Sequence, residues 1–266
     1  MTTGAASYEL IEVTPPSEAS FTGATIITLN NPARRNAIGP LMVNELLHAF
    51  EGAFADDETR SVVLTGAGDK AFCAGGDFKQ MSGESKLEPK GDYADLLLAM
   101  QRAPKPIVAR VNGHAMGGGL GLVAASHFAV GVDTAKLGTP EIDVGLFPMM
   151  IMAVLARLVP RRRLIRMMLF GERLTAAEAA ELSILGDVVP AAELDAAVAT
   201  ICETLASKSP ITVRLGLEAF AAQDDLALAE ALPLLRDRLA ACLATEDAQE
   251  GLMAFLQKRD PVWKGR

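Results

Sequence analysis

The sequence predicts an α/β core followed by an all-helical C-terminal region. Short runs of β-branched residues alternate with helix-type segments as far as residue 132. Two glycine-rich turns, AFCAGGD at 71–77 and NGHAMGGGLG at 112–121, each follow a β-type run and lead into helix-like sequence. From Met149 onward, helical spacing dominates. Strands alternating with helices are typical of an α/β fold.

The elements of the first half follow in order from local patterns. Strands are predicted at residues 8–13, 24–29, 61–64, 107–111 and 127–132. Apolar residues at helical spacing predict helices at 41–54, 92–102 and 119–126. The second of these helices is stopped by Pro104 and Pro106.

The second half is predicted to be helical, with capping signals at two points. Thr175 and Glu178 form a capping box, and Ser209 precedes Pro210 at a helix start. Helices are predicted at 149–159, 161–169, 176–182, 193–206, 211–223, 226–243 and 246–258. Only residues 186–189 have an extended pattern in this half.

Composition excludes several function classes. The chain has 266 residues, of which 50% are apolar, and a net charge of −8 from 25 basic and 33 acidic side chains. An acidic chain disfavours binding to nucleic acid or to an anionic membrane. No apolar run is long enough to span a bilayer, and the N-terminus lacks a signal-peptide pattern. The three cysteines and three histidines show no metal-ligand spacing, so we expect no metal site and a cytoplasmic protein with reduced thiols.

The two glycine turns predict a site for a negatively charged oxygen. Glycine lets a ligand atom approach the backbone, and two convergent N–H groups stabilise an oxyanion. Gly75 and Gly76 in the first turn and the run 117–119 in the second are placed to do this. The second run also opens a helix, whose free N–H groups favour negative charge. Each turn taken alone is equally consistent with tight chain reversal and close helix packing.

Five segments together resemble the crotonase superfamily, also called the enoyl-CoA hydratase/isomerase family. They are LNNPARRNAI (29–38), AFCAGGDFKQM (71–81), KPIVARVNGHAMGGGLGLVAASHFAVG (105–131), LGTPEIDVGLFP (137–148) and AFLQKRDPVWKG (254–265). The resemblance implies a spiral of ββα units over residues 1–200 and a helical trimerisation region over 201–266. It also implies an acyl-CoA substrate, with coenzyme A as part of that substrate rather than a separate cofactor. A homotrimer or a hexamer built as a dimer of trimers is implied as well.

The resemblance also implies roles for individual residues. Gly76 and Gly118 would supply the oxyanion N–H groups, and Glu141, in a Pro-Glu pair, would be the catalytic carboxylate. The residues implied in coenzyme A binding are Arg34, Arg35, Ala37, Ala74, Asp77, Phe78 and Lys79, with Phe255 and Lys258 reaching a neighbouring subunit's coenzyme A.

One position departs from the family pattern. Hydratases of the family usually carry a first glutamate where this chain has Gly121, so only Glu141 remains. One carboxylate suffices for a 1,3-proton shift in double-bond isomerisation, whereas hydration is easiest with two. Asp143 is a weaker candidate to assist. The run of methionines at 149, 150 and 152 is either an acyl-pocket wall or ordinary helix packing.

The sequence therefore leaves several functions open. The leading hypothesis is an enoyl-CoA hydratase or isomerase that stabilises a thioester enolate. The alternatives are thioester hydrolysis, decarboxylation, and a catalytically weak protein that only binds acyl-CoA.

Overall fold

In the part of the chain that the structure describes, ten strands form two sheets. The computed structural model describes residues 8–77 and 86–266. The strands are β1 (Ile11–Thr14), β2 (Ala24–Leu29), β3 (Ser61–Gly66), β4 (Ala71–Cys73), β5 (Ile107–Val111), β6 (His114–Met116), β7 (Phe128–Val132), β8 (Lys136–Gly138), β9 (Arg173–Thr175) and β10 (Asp187–Val189). The larger sheet has the order β1-β2-β3-β5-β7-β10, and the smaller has the order β4-β6-β8-β9.

Helices surround the sheets and make up the C-terminal region. They are α1 (Pro40–Ala55), α2 (Tyr93–Gln101), α3 (Gly118–Ala125), α4 (Met149–Leu155), α5 (Arg161–Phe170), α6 (Ala176–Glu181), α7 (Leu194–Ala206), α8 (Pro210–Gln223), α9 (Leu228–Leu243) and α10 (Glu246–Gln257). Short 3-10 helices lie at Pro32–Arg34, Pro140–Val144 and Ala191–Glu193.

The sequence patterns missed the smaller sheet. Its strands have only three residues each, too short to show a period of two. The prediction that 186–189 is the only extended segment after Met149 is therefore wrong, because Arg173–Thr175 pairs antiparallel with β8. The capping box predicted at Thr175 and Glu178 is confirmed at the start of α6, and the Ser209 cap is confirmed at the start of α8.

A ββα unit repeats three times along the core. In each unit a strand of the larger sheet is followed by a strand of the smaller sheet and then by a helix. The units are β3-β4-α2, β5-β6-α3 and β7-β8-α4. The centre of the larger sheet is buried on both faces: every residue of β3 is buried, and in β5 only Arg110 is half-buried.

This repeat brings three loops to one edge of the smaller sheet. Strands β4 and β6 are parallel, and so are β6 and β8. Their carboxyl ends therefore lie side by side, and the chain leaves them at Ala74, Gly117 and Thr139. The two glycine turns and the segment that carries Glu141 follow these three strands.

The C-terminal helices differ from the core in their burial. Helix α9 buries only Ala231, whereas Leu228 and Leu239 are exposed to 73% and 58%. On α10, Phe255 is exposed to 82%. No helix in the described part of the chain is long and apolar enough to cross a membrane.

Candidate active site

The two glycine turns touch each other at the edge of the smaller sheet. A β-carbon at Gly75 would lie 3.7 Å from the Cα of Gly117 and 3.0 Å from the carbonyl oxygen of Met116. Both turns use a backbone conformation that favours glycine, with φ of +100° at Gly75 and +49° at Gly117. The N–H of Gly117 donates to the carbonyl of Gly138 at 2.9 Å, which ties the second turn to β8.

Both turns line the same cavity. In the first turn, Ile38 donates to the Gly75 carbonyl and accepts from the Asp77 N–H, each at 2.8 Å. This parallel bridge does not use the N–H of Gly76, a residue that lines the cavity. In the second turn, Gly118 is the first residue of α3, where N–H groups have no partner within the helix. The arrangement can stabilise a negatively charged oxygen placed between the two turns.

Glu141 lies directly against the second turn. It is in the 3-10 helix Pro140–Val144, which Thr139 anchors by donating from its hydroxyl to the Met167 carbonyl at 3.0 Å. A β-carbon at Gly117 would lie 2.8 Å from Glu141 Oε1, so only glycine leaves room for the carboxylate there. Its second oxygen, Oε2, is buried and has no hydrogen-bond partner among the described residues.

The environment of Glu141 favours its protonated form. Burial raises the pKa of this carboxyl above its usual range, and a bond from its own backbone N–H offsets part of that effect. A carboxyl whose pKa lies closer to neutrality exchanges protons more readily at physiological pH.

The position of the missing carboxylate is filled by two other side chains. A β-carbon at Gly121 would lie 2.4 Å from the Tyr93 hydroxyl oxygen and 2.4 Å from Ile151 Cγ2. Sequence reasoning singled out neither residue. The only local signal for Tyr93 is its place at the start of a predicted helix, directly after a polar segment.

The cavity in front of these groups has a volume of about 720 Å³ and a largely apolar wall. Met149 and Met150 line it, as one of the two hypotheses for these methionines predicts, but Met152 packs against the core instead. Asp143 also lines the cavity, with Oδ1 3.0 Å from where a β-carbon of Gly171 would lie. Residues 140–144 form a 3-10 helix and not a strand, so the strand alternation that would direct the side chains of Glu141 and Asp143 to one face is not present.

Two of the residues implied in coenzyme A binding pair with each other. Arg34 forms a 2.6 Å ion pair with Asp77, whose side chain is only 1% exposed. Asn36 is fully buried, and its side-chain amide donates to the carbonyls of Ala67 and Ala71, each at 3.0 Å. These bonds hold the connection between β3 and β4, which precedes the first glycine turn. This network attaches the segment that carries the arginines to the first glycine turn.

The other residues implied in coenzyme A binding divide into those at the cavity, those outside the described residues and those at the C-terminal helix. Ala74 lines the cavity and donates from its N–H to the Arg35 carbonyl at 3.0 Å, and Ala37 is half-buried beside it. Phe78 and Lys79 lie outside the described residues. Phe255 on α10 and Lys258 directly after it do not line the cavity of their own chain.

Other titratable groups near the site have structural roles. His127 accepts the Ile107 N–H at 3.0 Å, and burial lowers its pKa. His114 accepts the Lys136 N–H at 3.0 Å. Burial raises the pKa of the Cys73 thiol to about 12, which favours the protonated thiol over the nucleophilic thiolate. Within the described ranges no group of three or more potential ligands could hold a metal ion.

Comparison with known proteins shows the family of the chain. The sequence profile of the Enoyl-CoA hydratase/isomerase family matches residues 21–266. The chain belongs to this family. It is 34% identical over 260 residues to the human protein named Enoyl-CoA hydratase domain-containing protein 3, mitochondrial, covering 95% of this chain and 84% of that protein. It is 32% identical over 243 residues to 2,3-dehydroadipyl-CoA hydratase of Escherichia coli K12, covering 91% and 95%.

Solved structures confirm the predicted crotonase-like fold of the family member. The crystal structure of an enoyl-CoA hydratase from Bacillus anthracis superposes with a TM-score of 0.87 at 30% identity, covering 97% of this chain and all of that one. The crystal structure of human enoyl Coenzyme A hydratase domain-containing protein 3 gives a TM-score of 0.86 at 31% identity, covering 96% of this chain and all of that chain. The α/β core with a helical C-terminal region is thus the family architecture.

Proposed function

We propose that this protein acts on an unsaturated acyl-CoA thioester and moves a proton through a stabilised enolate. The N–H groups of Gly76 and Gly118 bind the thioester oxygen, and the Glu141 carboxylate carries the proton. The proposal rests on one observation above all: the half-buried Glu141 carboxylate, whose Oε2 has no hydrogen-bond partner among the described residues, lies against the second glycine turn, and both turns line one cavity.

The single carboxylate favours double-bond isomerisation. Glu141 removes a proton from the carbon next to the thioester of a 3-enoyl-CoA, and the negative charge moves onto the thioester oxygen. Returning the same proton to the fourth carbon gives the 2-enoyl product, with the double bond moved by one position and no net gain of atoms. Such a shuttle needs one base, and the cavity residues at Gly121 leave no room for a second carboxylate.

Hydration of a 2-enoyl-CoA is the second candidate, supported by the names of the relatives. Several of these carry hydratase names, including 2,3-dehydroadipyl-CoA hydratase. For this reaction a water would have to be oriented without the glutamate that family hydratases usually carry at the position of Gly121. The enolate and its two N–H donors would be shared by both reactions.

The test follows the absorbance of the 2-enoyl thioester with two substrates. Isomerisation creates this absorbance from a 3-enoyl-CoA, hydration removes it from a 2-enoyl-CoA, and a protein that only binds acyl-CoA changes neither. We expect Glu141→Gln to lower kcat by about 100- to 10,000-fold, the range attributed to a positioned acid or base.

The matched control is Glu181→Gln, which makes the same change at an exposed glutamate on α6. We expect the control to keep full activity. Normal turnover by Glu141→Gln would show that another group carries the proton, and no turnover of either substrate by the wild-type protein would leave only a binding role.

We also propose that the family member assembles as a homotrimer, alone or paired into a hexamer. The exposed apolar side chains of α9 and α10 support this, because large exposed apolar patches mark interfaces. Sedimentation equilibrium of the full chain should give a multiple of three subunits. A monomer or a dimer would contradict the proposal.

A further inference from the structure

Tyr93 joins helix α2 to the second glycine turn through a single hydrogen bond. Its hydroxyl donates to the carbonyl of Gly118 at 2.5 Å. The ring edge also packs on this residue, since Cζ and the hydroxyl oxygen lie 3.6 Å from where a β-carbon of Gly118 would be. Tyr93 lines the cavity as well, so the contact is made at the site and not behind it.

The start of α2 holds Tyr93 in place. Asp92 caps the helix by accepting the N–H groups of Ala94 and Asp95, and Asp95 in turn accepts the Asp92 N–H at 2.8 Å. This capping box fixes the first turn of α2, of which Tyr93 is the first residue. Because the capping box fixes the backbone at the start of α2, it also fixes the position from which the Tyr93 side chain extends.

Hydrogen bonds therefore hold both peptide groups that flank Gly118. The carbonyl of Gly117, which shares its plane with the Gly118 N–H, accepts the Gly121 N–H at 3.0 Å. The next carbonyl, that of Gly118 itself, accepts the Tyr93 hydroxyl. Glycine has more φ/ψ freedom than any other residue. A hydrogen bond from another helix therefore restricts the backbone more at glycine than it would elsewhere.

The electrostatic setting keeps the phenol neutral. Burial raises the pKa of Tyr93 well above its usual value, and the proximity of Cys73 and Glu141 adds to this. In this neutral form the hydroxyl is the hydrogen-bond donor to the Gly118 carbonyl.

We propose that Tyr93 is a positioning residue that orients Gly118 to bind the thioester oxygen, while its hydroxyl occupies the place beside Gly121. This inference rests on the proposed function of Gly118. It explains why position 121 is glycine: any side chain there would displace the Tyr93 hydroxyl or Ile151.

The test is Tyr93→Phe, which deletes only the hydroxyl, with Tyr8→Phe as the matched control. Tyr8 is the other tyrosine of the chain and packs at the edge of the core near Glu45, away from the cavity. Loss of orientation at an oxyanion donor should lower kcat on the order of tenfold, with KM changed by less than about twofold. Tyr8→Phe should leave both constants unchanged.

A spectroscopic readout separates positioning from a general effect on folding. Infrared difference spectra of bound butyryl-CoA, labelled with ¹³C at the carbonyl, report how strongly the thioester oxygen is polarised. In the wild-type protein we expect the carbonyl band to move to lower frequency on binding, and in Tyr93→Phe to move back towards its solution value. Tyr8→Phe should retain the wild-type band.

The outcomes distinguish this inference from the function on which it rests. A wild-type band that does not move would overturn the oxyanion role of Gly118 and the inference with it. A wild-type band that moves and is unchanged in Tyr93→Phe would overturn the positioning role alone. If Tyr93→Phe does not fold, the band is measured in Gly121→Ala, which crowds the same hydroxyl together with Ile151, and Gly216→Ala, at a helix glycine with open space around it, is its control.

Discussion

The first glycine turn follows β4 on the open side of the cavity, whereas the second follows β6 and enters a buried helix. In the first, Ala74 and Gly76 are exposed, and the special residue is Gly75, with a φ of +100°. In the second, Gly119 and Gly121 are buried, and a β-carbon at either would meet another element within 2.4 Å. The first turn needs glycine mainly for backbone conformation, and the second needs it mainly for space.

The largest loss of stability should come from a substitution at Gly119, where an added β-carbon would have the closest neighbour. A β-carbon there would lie 2.3 Å from the Cys73 carbonyl oxygen, a backbone atom that cannot move aside. We expect Gly119→Ala to lower the free energy of unfolding by about 3 kcal/mol, at the upper end of overpacking effects. Urea denaturation measures this loss. Gly216→Ala, also within a helix but with no neighbour within 4 Å, should instead be neutral or stabilise by up to about 1 kcal/mol. Equal effects at both positions would show that lack of space is not what opposes a side chain at Gly119.

A smaller effect is expected at Gly75, where conformation and contact both oppose a side chain. Its φ of +100° is unfavourable for alanine, and the β-carbon would lie 3.0 Å from the Met116 carbonyl oxygen. We expect Gly75→Ala to cost about 1–3 kcal/mol in the same denaturation experiment. Gly68→Ala is the control for conformation alone, because its φ is +79° but its nearest neighbour is at 3.8 Å. A cost at Gly75 no greater than at Gly68 would show that the contact between the turns contributes nothing.

The smallest effect concerns the carboxylate that lies against the second turn. Because burial raises the pKa of Glu141, its charge opposes folding at pH values above that pKa. Glu141→Gln should therefore stabilise the protein at pH 7 by up to about 1 kcal/mol, since partial solvation limits the effect. The gain should disappear below about pH 4.3, where the carboxyl is protonated in both the folded and the unfolded states. Thermal unfolding from pH 4 to pH 8, with Glu181→Gln as the control, measures it. A gain that does not vary with pH would contradict a raised pKa.

The elements that sequence reasoning found are those with a long or strongly patterned local signal. The strands of the larger sheet, most helices and both glycine turns belong to this group. The smaller sheet was missed, although it positions all three site loops. Its strands have three residues each, so they form through pairing with neighbouring strands and show no alternating pattern in the sequence. The motif match brought Gly76, Gly118 and Glu141 together in advance, and the structure places all three on one cavity. Their chemical roles remain predictions.

The family, the α/β core with its helical C-terminal region, and the absence of a glutamate at position 121 all follow from the amino-acid sequence. What occupies the space beside position 121 depends on how the helices pack. Tyr93 is 25 residues from Gly118 in the chain, and its contact depends on how α2 packs against α3. No local pattern records such a contact, because it is formed by the packing of two separate ββα units around one cavity.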